Sequence, residues 1–173
     1  KNLRRAYYEN IADYRDTIPH IFHFNAFLML ANGIEAKIGS ITAQFEHFSD
    51  WKRLAEGEAG VVQMETLVNG TCTKANFLNI FENFILFDDS IDQTVKIVAR
   101  NHQYLGVDAA FEAVQNRETR EGKLGVFWHT QGSGKSYSMA LFAQKVRRKL
   151  GGDFTFLILT DRQDLDNQIY KTF

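Results

Sequence analysis

Leu124 to Leu150 reads LGVFWHTQGSGKSYSMALFAQKVRRKL, and this segment decides which fold the chain can form. Its apolar run at 126–128 predicts a short strand, and the polar residues at 129–136 predict a tight turn. Apolar residues at helical spacing from Met139 to Leu150 then predict an amphipathic helix. A strand, a glycine-rich turn and a helix in this order form the context of a phosphate-binding loop.

The turn carries the chemistry that phosphate binding requires. Gly132 and Gly134 permit positive φ, so that successive backbone N–H groups can point at an anion near the start of a helix. Lys135 can reach the β- and γ-phosphates, and the Ser136 hydroxyl can bind Mg²⁺. His129 stands where the usual pattern has a small residue, and a glycine-rich turn that binds nothing is the alternative.

Composition limits the class of protein. The chain has 173 residues, of which 45% are hydrophobic, so it can form a packed core. Its net charge of −1 gives no overall signature of a nucleic-acid partner, and any DNA contact must come from a local patch. Cys72 is the single cysteine and no apolar run has the length of a membrane span. We therefore expect a cytoplasmic protein without a membrane partner.

Periodicity and turn residues predict the remaining elements. A helix over 2–16 ends at Ile18-Pro19, and Asn32-Gly33 joins two apolar runs as a β-hairpin. A further helix is predicted from Thr73 to a break at Asp88, and its apolar face consists of Phe77, Phe81, Phe84 and Ile85. After it, the sequence predicts a strand over 93–99, a helix over 101–116 and a buried parallel strand over 154–159.

Two surface features have alternative interpretations. The aromatic run from Phe77 to Phe87 is interpreted as core rather than as a base-stacking platform. The basic residues at 145–149 are interpreted as the solvated end of a helix rather than as a DNA-binding patch. The glycine- and glutamate-rich stretch at 56–60 is typical of a linker, and we place a domain boundary there.

Three sequence motifs point to a known family. They are NHQYLGV at 101–107, WHTQGSGKS at 128–136 and LTDRQDLDNQ at 159–168. With these motifs the chain resembles, over essentially its whole length, the restriction (R) subunit of type I restriction enzymes. This family joins a superfamily 2 helicase-like, ATP-driven DNA translocase to a nuclease. The resemblance also accounts for His129, because the family's own motif I is similar to the sequence here.

The resemblance implies an α/β fold made of two parts. Residues 1–60 would be the C-terminal part of a restriction-endonuclease-like nuclease domain, a helix plus a β-hairpin. Residues 61–173 would be the N-terminal part of a RecA-like P-loop motor domain with a parallel sheet. The nuclease Asp and Glu-x-Lys motif, and the Walker B and later helicase motifs, are expected to lie outside this chain.

The resemblance also implies roles for individual residues. Gln103 would read adenine, with a solvent-exposed helix glutamine as the alternative, and Thr160 and Arg162 would contact the DNA backbone. Arg162 could instead form a surface ion pair. Asn10 and Tyr14 match a nuclease helix motif, Gln-x-x-x-Tyr, with asparagine in place of glutamine; core packing with a capping hydrogen bond is the alternative. The residues implied to bind ATP and Mg²⁺ are Thr130, Gln131, Gly132, Ser133, Gly134, Lys135 and, as the metal ligand, Ser136.

The activity implied is ATP-dependent DNA translocation coupled to endonucleolytic cleavage of double-stranded DNA. The full-length subunit would be a type I site-specific deoxyribonuclease working with methyltransferase (modification) and specificity subunits. We expect the 173-residue chain alone to hydrolyse neither ATP nor DNA. A small-molecule kinase and a non-enzymatic nucleotide switch are the alternative functions of a P-loop chain.

Overall fold

A computed structural model describes residues 2–89 and 93–160. The chain divides into two compact units, Lys1–Asn101 and His102–Phe173. This division lies beyond the boundary predicted at residue 60. The assignment of 1–60 to a nuclease domain and of 61–173 to a motor domain stays a prediction.

The first unit opens with the predicted helix. This helix, α1, is α-helical over Leu3–Ala6, forms a π-helical turn over Tyr7–Ile11, and is α-helical again over Ala12–Thr17. A 3₁₀ turn over Pro19–Phe22 follows, because proline cannot continue the helix. The buried stripe of α1 consists of Leu3, Tyr7 and Ile11, which pack with Leu28, Leu30 and Phe48.

The predicted hairpin is confirmed. Strands β1 (Leu28–Ala31) and β2 (Ala36–Gly39) pair antiparallel, and β3 (Ser49–Asp50) adds to the far edge of β2. The Asn32 side chain accepts hydrogen bonds from the N–H groups of Ile34 and Glu35, and Gly33 takes a φ of 93°. The asparagine side chain therefore closes the turn, and glycine supplies the left-handed residue.

The next segment of the first unit contains two helices and a second sheet. The helices are α2 (Met64–Thr71) and α3 (Lys74–Asn83), of which α2 was not predicted from the sequence. The strands β4 (Ile85–Asp88) and β5 (Val95–Val98) pair antiparallel. Thr73 caps α3 as predicted, since its side chain accepts from the Asn76 N–H. The strand predicted over 93–99 is likewise confirmed.

The prediction that the Thr73 helix continues to Asp88 is wrong. The helix ends at Asn83, and Ile85 already pairs with Val98 across the second sheet. The buried face of α3 consists of Ile80 with Phe84 following, whereas Phe77 and Phe81 are exposed by 38% and 57%. The aromatic run is therefore not a single core stripe: Phe84, at the C-cap of the helix, is buried one turn after Ile80, whereas Phe87 lies in β4 and is 64% exposed.

The second unit is built on two predicted helices, α4 (Asn101–Gln115), whose first residue is the last of the first unit, and α5 (Lys135–Lys149). Phe111 and Val114 of α4 pack with Val146 of α5, with Phe142 and Leu150 at the margin. The apolar residues whose spacing predicted α5 thus lie on the side of α5 that packs against α4, as expected for an amphipathic helix.

A partly buried ion pair also joins the two helices, which corrects the interpretation of the basic segment. The Lys145 ammonium bonds to the Asp108 carboxylate and lies 5.0 Å from the centre of the Phe111 ring. Lys145 is only 6% exposed, whereas Arg147, Arg148 and Lys149 are exposed. Only the last three form the solvated helix end, because Lys145 lies on the face of α5 that meets α4.

The predicted parallel strands are not formed in the described part of the chain. Neither 126–128 nor 154–159 pairs with another strand, and both observed sheets are antiparallel. Val126, Trp128, Leu157 and Leu159 are between 82% and 88% exposed. The parallel sheet is therefore not seen among the described residues and stays a prediction, since a strand needs a neighbour to bond its N–H and C=O groups. An apolar run does not supply that neighbour.

A first prediction concerns Gly70 of α2. A Cβ atom there would lie 2.2 Å from Nε1 of the buried Trp51 ring. We expect Gly70→Ala to lower the thermal unfolding midpoint, with overpacking costing about 1–3 kcal/mol. Gly151→Ala is the control, because a Cβ there meets no atom within 4 Å. Equal midpoints for the Gly70 variant and the unmodified chain would contradict the close approach of Trp51 to residue 70.

A second prediction concerns the ion pair between α4 and α5. We expect Lys145→Ala to lower the free energy of unfolding by about 1–3 kcal/mol, less than a fully buried pair would lose. The reason for the smaller loss is that the Asp108 side chain is 33% exposed, so that solvent screens its charge. Arg148→Ala, on the exposed side of α5, is the matched control and should be near neutral in urea denaturation. A loss no larger than the control's would contradict the structural role of the pair.

Candidate nucleotide-binding site

The glycine-rich turn has the backbone conformation that the sequence predicts. Gly132 and Gly134 take φ values of 76° and 83°, and Gly134 is the N-cap of α5 in the left-handed region. Within the turn, the Ser133 N–H donates to the Thr130 carbonyl over 3.3 Å. Only glycine adopts such φ values without strain, which is the physical reason for glycine at both positions.

The turn presents unused hydrogen-bond donors. The backbone N–H groups of Gly132, Gly134, Lys135 and Ser136 donate to no acceptor within residues 2–89 and 93–160. They lie at the N-terminus of a helix of 15 residues, where the helix dipole favours negative charge. The arrangement can therefore bind an anion with several acceptor oxygens, such as a phosphate chain.

Lys135 adds a positive charge to the same turn. Its Nζ atom donates to the carbonyl oxygens of His129 and Thr130, each over 2.9 Å, and the residue is exposed. The Ser136 hydroxyl makes no hydrogen bond with the described residues, so it can serve as a metal ligand. Four amide donors, a lysine and a hydroxyl at one helix start fit the phosphates and Mg²⁺ of a nucleotide.

Two consecutive side chains of α4 hold the other side of the turn. The His102 Nε2 lies 3.0 Å from the Ser133 carbonyl oxygen, and the Gln103 Nε2 donates to the Gly134 carbonyl oxygen over 3.0 Å. Gln103 is only 3% exposed, so the alternative of a solvent-exposed glutamine is wrong. Sequence reasoning singled out the 101–107 motif but assigned His102 no role.

The residue at the unusual position of the loop pattern packs on α4 as well. The His129 ring meets the His102 ring edge-on with centroids 4.8 Å apart, and the Phe127 ring at 4.3 Å. Gly106 of α4 is what admits Phe127, because a Cβ there would lie 2.5 Å from the ring. A large residue at 129 thus fills space between the loop and α4, which a small one would leave open.

The remaining predicted site residues lie elsewhere or outside the described part of the chain. Thr160 is half-buried, and Arg162 lies outside the described residues. Asn10 and Tyr14 are exposed on α1 of the first unit, Tyr14 by 45%, so the alternative of core packing is wrong. Their roles in DNA contact and nuclease chemistry stay predictions.

Comparison with known proteins agrees with the motif resemblance. The model of the SWI2/SNF2 ATPase family matches residues 102–173, which begin where the second compact unit begins. The type I restriction enzyme HindI endonuclease subunit of Haemophilus influenzae is 36% identical over 92% of the chain. The protein named "Putative type I restriction enzyme MjaIXP endonuclease subunit" of Methanocaldococcus jannaschii is 28% identical over 90% of the chain.

These matches cover a small part of the relatives. The chain spans 16% of the length of the first relative and 17% of the second.

Within the residues that the structure describes, no helix is long and apolar enough to cross a membrane. The resemblance seen in the sequence motifs is thus confirmed: over nine-tenths of its length, this chain is homologous to one segment of the endonuclease subunits of type I restriction enzymes.

Proposed function

We propose that the second unit binds the phosphates of ATP together with Mg²⁺, as the opening part of a motor that translocates DNA. The longer subunit would couple this motor to endonucleolytic cleavage of double-stranded DNA, as a type I site-specific deoxyribonuclease. The proposal is supported by the SWI2/SNF2 match over 102–173 and by the names of the relatives.

The observation that carries the proposal is the set of four unused amides beside Lys135 at the start of α5. In the bound state, the amides would donate to phosphate oxygens and Lys135 would leave the His129 and Thr130 carbonyls for the β- and γ-phosphates. Ser136 would hold Mg²⁺, which neutralises charge on the phosphates. Hydrolysis of ATP would supply the free energy for movement along DNA.

Binding and hydrolysis need different residues. Phosphoryl transfer requires further acidic ligands for Mg²⁺ and a cation that stabilises the transition state. Among the described residues, no group of three or more His, Cys, Asp or Glu side chains could hold a metal ion. We propose that this chain supplies the nucleotide-binding part of the site, and that the residues for hydrolysis lie elsewhere in the longer subunit, since the chain spans only 16% and 17% of the two relatives.

The other parts of the proposal concern DNA and partners. Thr160 and Arg162 would contact the DNA backbone, and Gln103 would lie near the adenine side of the nucleotide. Asn10 and Tyr14 would belong to a nuclease region over 1–60, followed by the motor region over 61–173. Methyltransferase and specificity subunits would choose the DNA target. The relatives support this function over a small-molecule kinase or a non-enzymatic switch, since the relatives named here are endonuclease subunits.

The binding part of the proposal is tested by Lys135→Ala in the full-length subunit. Removing the charge should weaken ATP binding by roughly tenfold to a hundredfold, since charge-assisted hydrogen bonds contribute about 1.5–3 kcal/mol. DNA-stimulated ATPase activity should fall with it. Lys123→Ala is the matched control, because that side chain is 82% exposed and pairs with the equally exposed Glu121, two positions away. Unchanged ATP affinity in the Lys135 variant would contradict the proposed site.

The 173-residue chain offers a separate test of where hydrolysis resides. We expect it to release no phosphate from ATP above the buffer rate, with or without duplex DNA, and to leave DNA intact. Phosphate release by the full-length subunit under the same conditions is the positive control. Steady ATPase activity of the short chain that disappears in its Lys135→Ala variant would show that these residues suffice for hydrolysis.

A further inference from the structure

We propose that His102 and Gln103 form a two-point clamp on the carbonyl groups of the phosphate loop, and that both act as positioning residues for nucleotide binding. This inference rests on the proposed function, because it concerns how the loop is held for phosphate. It gives Gln103 a role besides contact with adenine, and it gives a role to His102.

Two adjacent side chains of α4 contact two adjacent carbonyl groups of the phosphate loop. Residues 102 and 103, at the start of α4, contact the carbonyl oxygens of residues 133 and 134, each over 3.0 Å. Both contacts join positions 31 residues apart in the chain and lie within the second unit. Since a carbonyl oxygen can only accept, the His102 Nε2 must carry a hydrogen, and the Gln103 amide must turn its nitrogen toward the loop.

Holding these carbonyls fixes the direction of the amides. A trans peptide group is planar, and its N–H points opposite to its C=O. The Ser133 carbonyl shares a peptide group with the Gly134 N–H, and the Gly134 carbonyl shares one with the Lys135 N–H. When the clamp draws both carbonyls toward α4, both N–H groups point away from α4. These are two of the unused donors described above.

Packing shows that the clamp is closely fitted. A Cβ atom on Gly134 would lie 2.9 Å from the Gln103 Nε2, so the amide rests directly against the left-handed residue of the loop. The Gly134 carbonyl also accepts the first hydrogen bond of α5, from the Ser138 N–H over 3.1 Å. Gln103 thus supports the same carbonyl at which α5 begins. The His102 ring in turn packs against His129 at the front of the loop.

The clamp and an adenine contact predict different ligand dependences. An adenine-reading glutamine contributes to ATP binding but not to binding of inorganic tripolyphosphate, which has no base. A clamp contributes equally to both, because both use the loop amides. Comparing the two ligands, each with Mg²⁺, therefore separates the two roles.

The test measures dissociation constants of the full-length subunit for ATP and for tripolyphosphate by calorimetry. We expect His102→Ala to weaken both ligands by a similar factor, roughly three- to tenfold for one hydrogen bond. Gln103→Ala should weaken tripolyphosphate by the same factor, and ATP by at least as much. His102→Gln keeps a donor near the Nε2 position and should recover most of the affinity. Gln115→Ala is the matched control, being an exposed glutamine at the far end of α4.

The outcomes separate failure of the clamp from failure of the proposed function. A loss confined to ATP in the Gln103 variant, or unchanged affinities in both alanine variants, overturns the clamp while the site itself stands. If the unmodified subunit binds neither ligand, the proposed function fails first. Thermal unfolding midpoints of all variants accompany the titrations. If Gln103→Ala melts early it is replaced by Gln103→Met, which keeps the length of the side chain, adds no charge and lacks the donor.

Discussion

The second unit depends on one constraint, a left-handed backbone at Gly132 and Gly134 immediately before α5. That conformation lets the chain reverse within a few residues and start a helix with its first N–H groups exposed. An L-residue with a side chain would pay for positive φ at each position. At Gly134 the same side chain would also meet the Gln103 amide. The turn is therefore required by both backbone conformation and packing.

The helices around the turn serve to hold it. α4 contributes His102 and Gln103 at its start, Gly106 one turn later to admit Phe127, and Asp108 to pair with Lys145. These contacts are spread along α4. Gln103 holds the N-cap of α5 at Gly134, and Asp108 holds α5 farther along at Lys145. A site whose ligand contacts are mostly backbone atoms needs such support, because the backbone geometry itself has to be correct before the ligand arrives.

The sequence predicted much of this arrangement. Apolar spacing located α1, α4 and α5, Asn32-Gly33 located the first hairpin, and Thr73 the start of α3. It did not predict that Lys145 is buried, because a lysine among basic residues carries no sign of the Asp108 that lies 37 positions away in the chain. It also did not predict the contact of His102, because the partner of that side chain is the Ser133 carbonyl, 31 positions away in the chain.

The main differences between prediction and structure concern strands, and they share one cause. The runs at 126–128 and 154–159 have the composition of buried parallel strands, yet they form no strand pairs in the described part of the chain. The helix predicted to reach Asp88 ends at Asn83, because Ile85 to Asp88 pair with Val95 to Val98 as β4 and β5. A helix satisfies its own backbone, so local spacing predicts it. A strand depends on a neighbour that local sequence does not contain.

The most direct measurement of the central claim is the NMR response of the loop amides to Mg²⁺ and ATP. In the subunit with ¹⁵N-labelled glycine, lysine and serine, we expect large downfield shifts of the Gly132, Gly134, Lys135 and Ser136 amide protons as they bond to phosphate oxygens. The amides of Gly151 and Gly152, after the far end of α5, should shift little. Loop amides that stay in place while ATP binds, or shifts centred on other residues, would contradict the account.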